Sequence, residues 1–318
     1  MVRSTQLIQE FLFKKEPLVW LTAFFSFCLL VTGWPFGNTA SAQPNEVIFL
    51  AGPKDHGMAG RHDYPADLKV LAESLRKSNN IGDVTTKVLV GKAPRDLNVY
   101  KNAAAIVINS SSDRSGREVH PLFPPNPNTS GTGYDEETEA FLEGLNEILK
   151  NNKAGVVVIH YALWIENWAA RGYYMDWLGG FWVQMGSRNP VDIWEMEPQN
   201  VEHPILNGVS PWKYRDEIFS RFFLPDQISG RTELLTAMPT YSDEQSRLPE
   251  NYGTQVAAWS YTREDGGRGF AFGGMDFHDN MEIDDYRKFV LNGIVWSAGM
   301  KVPPEGVHSP TPEIEIGR

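Results

Sequence analysis

Three short, uninterrupted apolar runs constrain this chain more than any other feature of it. They are Glu46–Ala51, which stops at Gly52, Ala103–Asn109, and 154–159, which stops at His160. Runs of this length, rich in Val, Ile and Ala and bounded by turn residues, are the pattern of strands buried on both faces. Residues 84–90 alternate as a further strand. Between the runs, Pro65 stands at a first helical position, with Leu68, Leu71 and Leu75 following at helical spacing. Asp135 heads an acidic-fronted helix with Phe141, Leu142, Leu145, Ile148 and Leu149 on one face. Strand and helix in alternation predict an α/β fold: a parallel sheet with helices on both faces. Beyond residue 181 the pattern turns β-like, with strands expected at 191–196, 232–237, 254–260 and 269–273. A closing helix over 284–298 turns Phe289, Val290, Ile294 and Val295 toward the sheet.

The N-terminus reads as an address. Lys14 and Lys15 precede an apolar run, 18–33, and Ala40-Ser41-Ala42 follows. These are the parts of a secretory signal peptide, residues 1–42, cut after Ala42. The expected location is therefore exported, periplasmic or extracellular. The alternative, an uncleaved N-terminal membrane anchor, is disfavoured because the run is shorter than the ~20 residues of a spanning helix. No stable membrane insertion is expected after cleavage. Cys28 is the one cysteine of the chain, so the mature chain has neither an internal disulfide nor a thiol nucleophile. Residues 43–303 read as one α/β domain, and the Pro-rich stretch 304–318 as a flexible tail. A net charge of −11 is a poor match to a phosphate backbone and argues against nucleic-acid partners. Homo-oligomerisation is left open.

Ligands of open parallel sheets bind beyond the carboxyl ends of the strands, and the histidines gather there. His56 and His62 follow the first run, His160 ends the 154–159 run, and His278 follows the 269–273 strand. Imidazoles beside carboxylates suit either a metal site or metal-free proton transfer near neutral pH. His160 is the candidate general base or ligand, with Asp216 or Glu217 as the acid. His56, His62, Asp276 and His278 are candidate ligands for a divalent ion (Zn, Mn or Ca). Tyr161, Trp164 and His203 are candidate substrate contacts. Blander readings stay open at this stage: a core imidazole for His160, a surface turn for Asp216-Glu217, a rigid turn for His203-Pro204. No HExxH, EF-hand, GxSxG or Walker sequence is present.

Taken in order, several pieces resemble the ThuA-like (trehalose-utilisation) family, in particular its secreted planctomycete-type branch, over residues 46–303. They are Phe49-Leu-Ala-Gly-Pro-Lys-Asp-His56-Gly-Met-Ala-Gly-Arg-His62, Val156-Val-Val-Ile-His160-Tyr-Ala162, Trp177-Leu-Gly-Gly-Phe181, His203-Pro-Ile-Leu-Asn-Gly208, Asp216-Glu217, and a closing block from Val256-Ala-Ala-Trp259 through Phe270 to Trp296. The resemblance implies a three-layer, flavodoxin-like sheet of the class I glutamine amidotransferase type. His160 would stand where amidotransferases carry their cysteine nucleophile, so that chemistry is not expected. What it implies instead is a carbohydrate substrate, with a hydrolase or lyase/isomerase acting on glycosides or keto-sugars. The alternative is a non-catalytic carbohydrate-binding or periplasmic accessory protein. One departure is visible: relatives often carry Gly-His-x-His where this chain has Met275-Asp276-Phe277-His278.

Overall fold

The apolar runs become adjacent strands. The computed structural model describes residues 45–114, 119–125, 133–314 and Ile316; the signal-peptide reading of 1–42 lies outside them. Among the described residues no helix is long and apolar enough to cross a membrane. β1 (Glu46–Ala51), β2 (Thr85–Val90), β3 (Ala103–Asn109), β4 (Gly155–Ile159) and β9 (Arg268–Phe272) pair in parallel, in the spatial order β2-β1-β3-β4-β9. β8 (Gln255–Thr262), β7 (Arg231–Pro239), β5 (Val191–Pro198) and β6 (Trp212–Glu217) extend the sheet beyond β9, each antiparallel to its neighbour. The parallel half is as the sequence predicts. The antiparallel half follows from its connections, because no α-helix lies between β5 and β9 to carry the chain back across a face, only the single 3-10 turn Pro204–Leu206.

Helices cover both faces. α1 (Tyr64–Lys77) and α4 (Asp284–Ser297) pack Leu68, Leu71, Phe289 and Ile294 against one face. α2 (Glu136–Asn152) and α3 (Trp168–Leu178) pack Phe141, Leu142, Tyr174 and Trp177 against the other. Asp63 caps α1 and Asp135 caps α2, while Asn167 caps α3 and Gly179 ends it at φ 67°. α3 and β6 are not predicted from the sequence. α3 is aromatic-rich with little amphipathic contrast, and β6 carries three charged residues in its last three positions.

The segment after Pro303 differs from the loose tail expected. Val307 and Ser309 are buried. The Val307 N–H donates to Asn292 Oδ1 at 2.7 Å, the His308 N–H to Asn80 Oδ1 at 2.9 Å, and Arg287 Nε to Ser309 Oγ at 3.1 Å. Proline stiffens this stretch, and polar residues of α4 supply it with partners.

Candidate metal centre

The site forms where four loops meet above the carboxyl ends of the strands. His160 is the first residue after β4, and it turns sharply there at φ 54°. His62 lies in the loop between β1 and α1 at φ 49°, and Met275, just after β9, at φ 101°. Three non-glycine residues in left-handed conformations around one point are a strained cluster of the kind found at functional sites. The loops are sewn together by backbone bonds. The His62 N–H donates to Asp276 O at 2.9 Å and the His278 N–H to Gly60 O at 2.8 Å.

Glu217 ends β6, the outermost strand, yet it reaches the same point. The chain just after it is tied to the end of β9: the Phe219 N–H donates to Gly273 O at 2.9 Å. Asp216 makes the second tie. It is wholly buried, and its two oxygens accept the N–H groups of Met275, Asp276 and Phe277 at 2.9, 3.0 and 3.3 Å. The antiparallel half of the sheet therefore curls back over the parallel half. Asp216, expected as a catalytic acid, is instead a clamp on the loop that carries Asp276. Burial, then the charge of Asp276, pushes its carboxyl up to about 7.

Four side chains converge. One ligand atom from each of His62, His160, Glu217 and Asp276 lies within 4.8 Å of the others. His62 Nε2 is 3.2 Å from Asp276 Oδ1 and 3.7 Å from Glu217 Oε2, and His160 Nε2 is 3.5 Å from Glu217 Oε2. Donors that share one ion at about 2.1 Å stand about 3.0–3.4 Å apart. The observed spacings are those of a nearly assembled coordination shell.

Hydrogen bonds set the ligand states. His160 Nδ1 donates to Gly273 O at 3.1 Å, which leaves the lone pair of neutral imidazole on Nε2, and that atom is buried without a partner. Burial pushes this imidazole down, but the carboxylates of Glu217, 3.5 Å from Nε2, and of Asp276 and Asp216 raise it overall, so a cation would compete with a proton for Nε2. For His62, burial and the nearby His160, His56, Arg61 and Lys54 all act downward, so the ring is neutral and ready to ligate. Arg61 Nε donates to Asp276 Oδ2 at 2.6 Å, which turns Oδ1 toward His62. That Oδ1 is also buried without a hydrogen-bond donor. Buried, unpartnered atoms on both His160 and Asp276, in a group of four whose ligand atoms lie within 4.8 Å of one another, fit a cation. Two imidazoles with two carboxylates suit zinc or manganese better than calcium, which takes oxygen ligands.

The remaining candidates fall around or away from this cluster. His56 stacks on His62 with centroids 4.1 Å apart, and its Nδ1 lies 2.8 Å from Asp55 Oδ1. Ser111 Oγ donates to the same carboxylate oxygen at 2.7 Å. Tyr161 meets His56 edge-on at 5.4 Å, and the mostly buried Trp164 packs on Tyr161 at the same distance. His278, expected as a ligand, spends Nδ1 on the fully buried Asp67 at 2.6 Å, and Asn109 Nδ2 donates to the other oxygen of Asp67 at 3.4 Å. His203, expected at the substrate, lies elsewhere. Its Nδ1 accepts the Ile205 N–H, its ring packs on Trp296, and Nε2 meets the Oγ of Ser260 on β8, opposite Phe270 in the middle of β9. Burial lowers it to about 4. The sequence reading missed Asp55, Arg61, Asp67 and Ser111. Asp67 was detectable: it sits four residues before Leu71 on the apolar stripe of α1, where an unpaired carboxylate is costly.

The sequence profile of the ThuA family, described as trehalose utilisation, matches residues 124–297. The chain belongs to the ThuA family. Among solved structures it is similar to a ThuA-like protein from Bacteroides uniformis, with 14% identity over 83% of this chain and 95% of that one and a TM-score of 0.56. That likeness speaks for the fold alone. Weaker likenesses reach the glutaminase domain of Trypanosoma brucei CTPS (10% identity, 83% and 97% covered, TM-score 0.41) and a glutamine amidotransferase from Thermotoga maritima (12%, 80% and 96%, 0.36). No curated protein matches this ThuA-family chain in sequence.

Proposed function

We propose that this ThuA-family protein is an exported, metal-dependent enzyme of carbohydrate metabolism, a hydrolase or lyase/isomerase acting on glycosides or keto-sugars. The observation that carries the reading is the convergence of His62, His160, Glu217 and Asp276, with His160 Nε2 and Asp276 Oδ1 buried and unpartnered. The family's description supports the sugar class. Zinc or manganese would be held by these four side chains. When bound, such an ion polarises a carbonyl or hydroxyl oxygen of the sugar as a Lewis acid.

The proton work falls to His56. Asp55 accepts the hydrogen on Nδ1, which fixes the ring and leaves Nε2 as base. His56 is also the most exposed ring of the cluster, with a side chain 36% accessible. In an elimination, Nε2 takes the proton from the carbon beside a keto carbonyl. The electron pair forms the C=C bond, the glycosidic C–O bond breaks, and the proton goes to the leaving oxygen. In a hydrolysis the same atom takes a proton from water and returns it to the leaving group.

The test is a panel of glycosides and 3-keto-glycosides assayed with the metal-reconstituted protein, with chelator, and with His56→Ala. The expected outcome is turnover that chelator abolishes and that His56→Ala lowers by about 10²–10⁴-fold with metal content unchanged. Turnover indifferent to both chelator and His56→Ala, or none on any member of the panel, overturns the reading.

A further inference from the structure

A tract of aromatic and charged side chains runs from the metal cluster out to the surface at the start of α3. Tyr161, packed against His56, touches Trp164. Trp164 Nε1 donates to Glu166 Oε1 at 2.5 Å, and Glu166 Oε2 accepts from Arg171 at 3.1 Å. The Arg171 guanidinium lies 4.9 Å from the Trp168 ring and 5.7 Å from that of Phe181, which in turn packs on Phe223 at 5.2 Å. Trp168 is 65% exposed and Phe223 48%.

An indole left this open forgoes the stabilisation that burying it would give, about 1.5–3 kcal/mol for a large apolar side chain. Its surroundings are nonetheless fixed. Asn167 caps the helix one residue earlier, Arg171 Nε donates to Ile165 O, and both oxygens of Glu166 are engaged. A ring set on a capped helix start, with a hydrogen-bonded guanidinium over one face and a carboxylate bound to that guanidinium, is a prepared surface rather than a loose one. It offers a flat apolar face for the C–H side of a pyranose, and a donor and an acceptor for its hydroxyls. A lipid occupant does not fit, because ionised groups flank the ring and the chain carries −11.

We propose that Trp168, Arg171, Glu166 and Phe223 form a glycan subsite, holding the outer residues of an oligosaccharide whose reacting unit lies at the His62–His160–Glu217–Asp276 cluster. The inference rests on the carbohydrate reading above and adds to it that the substrate is an oligosaccharide rather than a free monosaccharide or disaccharide.

The experiment is isothermal titration of the metal-reconstituted protein with neutral α- and β-linked gluco-, xylo- and manno-oligosaccharides of graded length. Wild type, Trp168→Ala, Trp168→Tyr and His56→Ala are compared, with sedimentation velocity run on the same samples. In at least one series, wild-type affinity rises about tenfold from disaccharide to longer chains, the order that one aromatic platform contributes. Trp168→Ala flattens the rise and leaves disaccharide affinity unchanged, Trp168→Tyr keeps most of it, and His56→Ala keeps all of it. Affinity independent of length in every series, an unaltered rise in Trp168→Ala, or a loss of self-association in Trp168→Ala without a change in sugar binding overturns the subsite. The two readings fail separately. Metal-dependent turnover with length-independent affinity removes only the subsite; a Trp168-dependent rise in a protein that holds no metal removes only the metal-enzyme reading.

Discussion

Asp216 and Glu217 adjoin in sequence but do different work, because a strand turns successive side chains to opposite sides. Glu217 faces the cluster, whereas Asp216 is buried beneath the 275–277 backbone. Asp216 Oδ1 also accepts the Glu217 N–H at 2.9 Å, and removing the carboxylate takes the acceptor from four N–H groups, two of them in buried bonds that cost about 1–3 kcal/mol each when left unpaired. Asp216→Ala should therefore lose about 3 kcal/mol in urea unfolding and bind metal about 10–100-fold more weakly. Asp216→Asn, which keeps one acceptor oxygen, should lose less of both. His120 illustrates a buried neutral imidazole away from the site. Its Nδ1 accepts the N–H groups of Leu122 and Phe123, and Nε2 meets the Tyr174 hydroxyl, so protonation breaks two bonds. Burial lowers it to about 3. The folded value lies below the unfolded one of about 6.5, so the unfolded chain takes up the proton first and stability is lost as pH falls from about 6.5 toward 3. Wild type should be more stable than His120→Asn at pH 7, and that gap should narrow by about 3 kcal/mol at pH 4.5, as measured by paired urea unfolding.

Elements differ in how much of themselves the sequence discloses. β1, β3 and β4 are legible because burial on both faces leaves no polar alternation, and α1 and α2 because caps and leucine spacing agree. β6 is hidden because its tip is charged for the site's sake, and α3 because its aromatics face both the core and solvent. The histidines at the strand ends were legible, but their division of labour was not: it depends on Gly273 O, Asp55 and Asp67, groups distant in sequence or without a motif. The tail after Pro303 gives a prediction at this scale. Truncation there exposes the surface under Val307 and leaves Arg287 and Asn292 short of partners. It should cost about 2–4 kcal/mol in thermal or urea unfolding; an unchanged midpoint would show the tail to be dispensable.

Across the whole molecule, one sheet builds the site by bringing its far edge back onto its centre. β4 and β9 are neighbours, but β6 lies four strands beyond β9, and the sheet order alone would leave Glu217 far from His160. The bonds from Phe219 to Gly273 and from the 275–277 backbone to Asp216 close that distance. The centre therefore draws on both halves of the fold: His62 and His160 from the parallel half, Glu217 from the antiparallel extension, and Asp276 from the loop after their shared border. The most direct measurement of the central claim is elemental analysis of the purified protein after reconstitution with zinc or manganese and gel filtration. About one equivalent per chain is expected in wild type and in His203→Gln, which lies away from the cluster, and a small fraction of that in His62→Ala and Glu217→Gln. Full occupancy in those two variants, or no retained metal in folded wild type, would contradict the account.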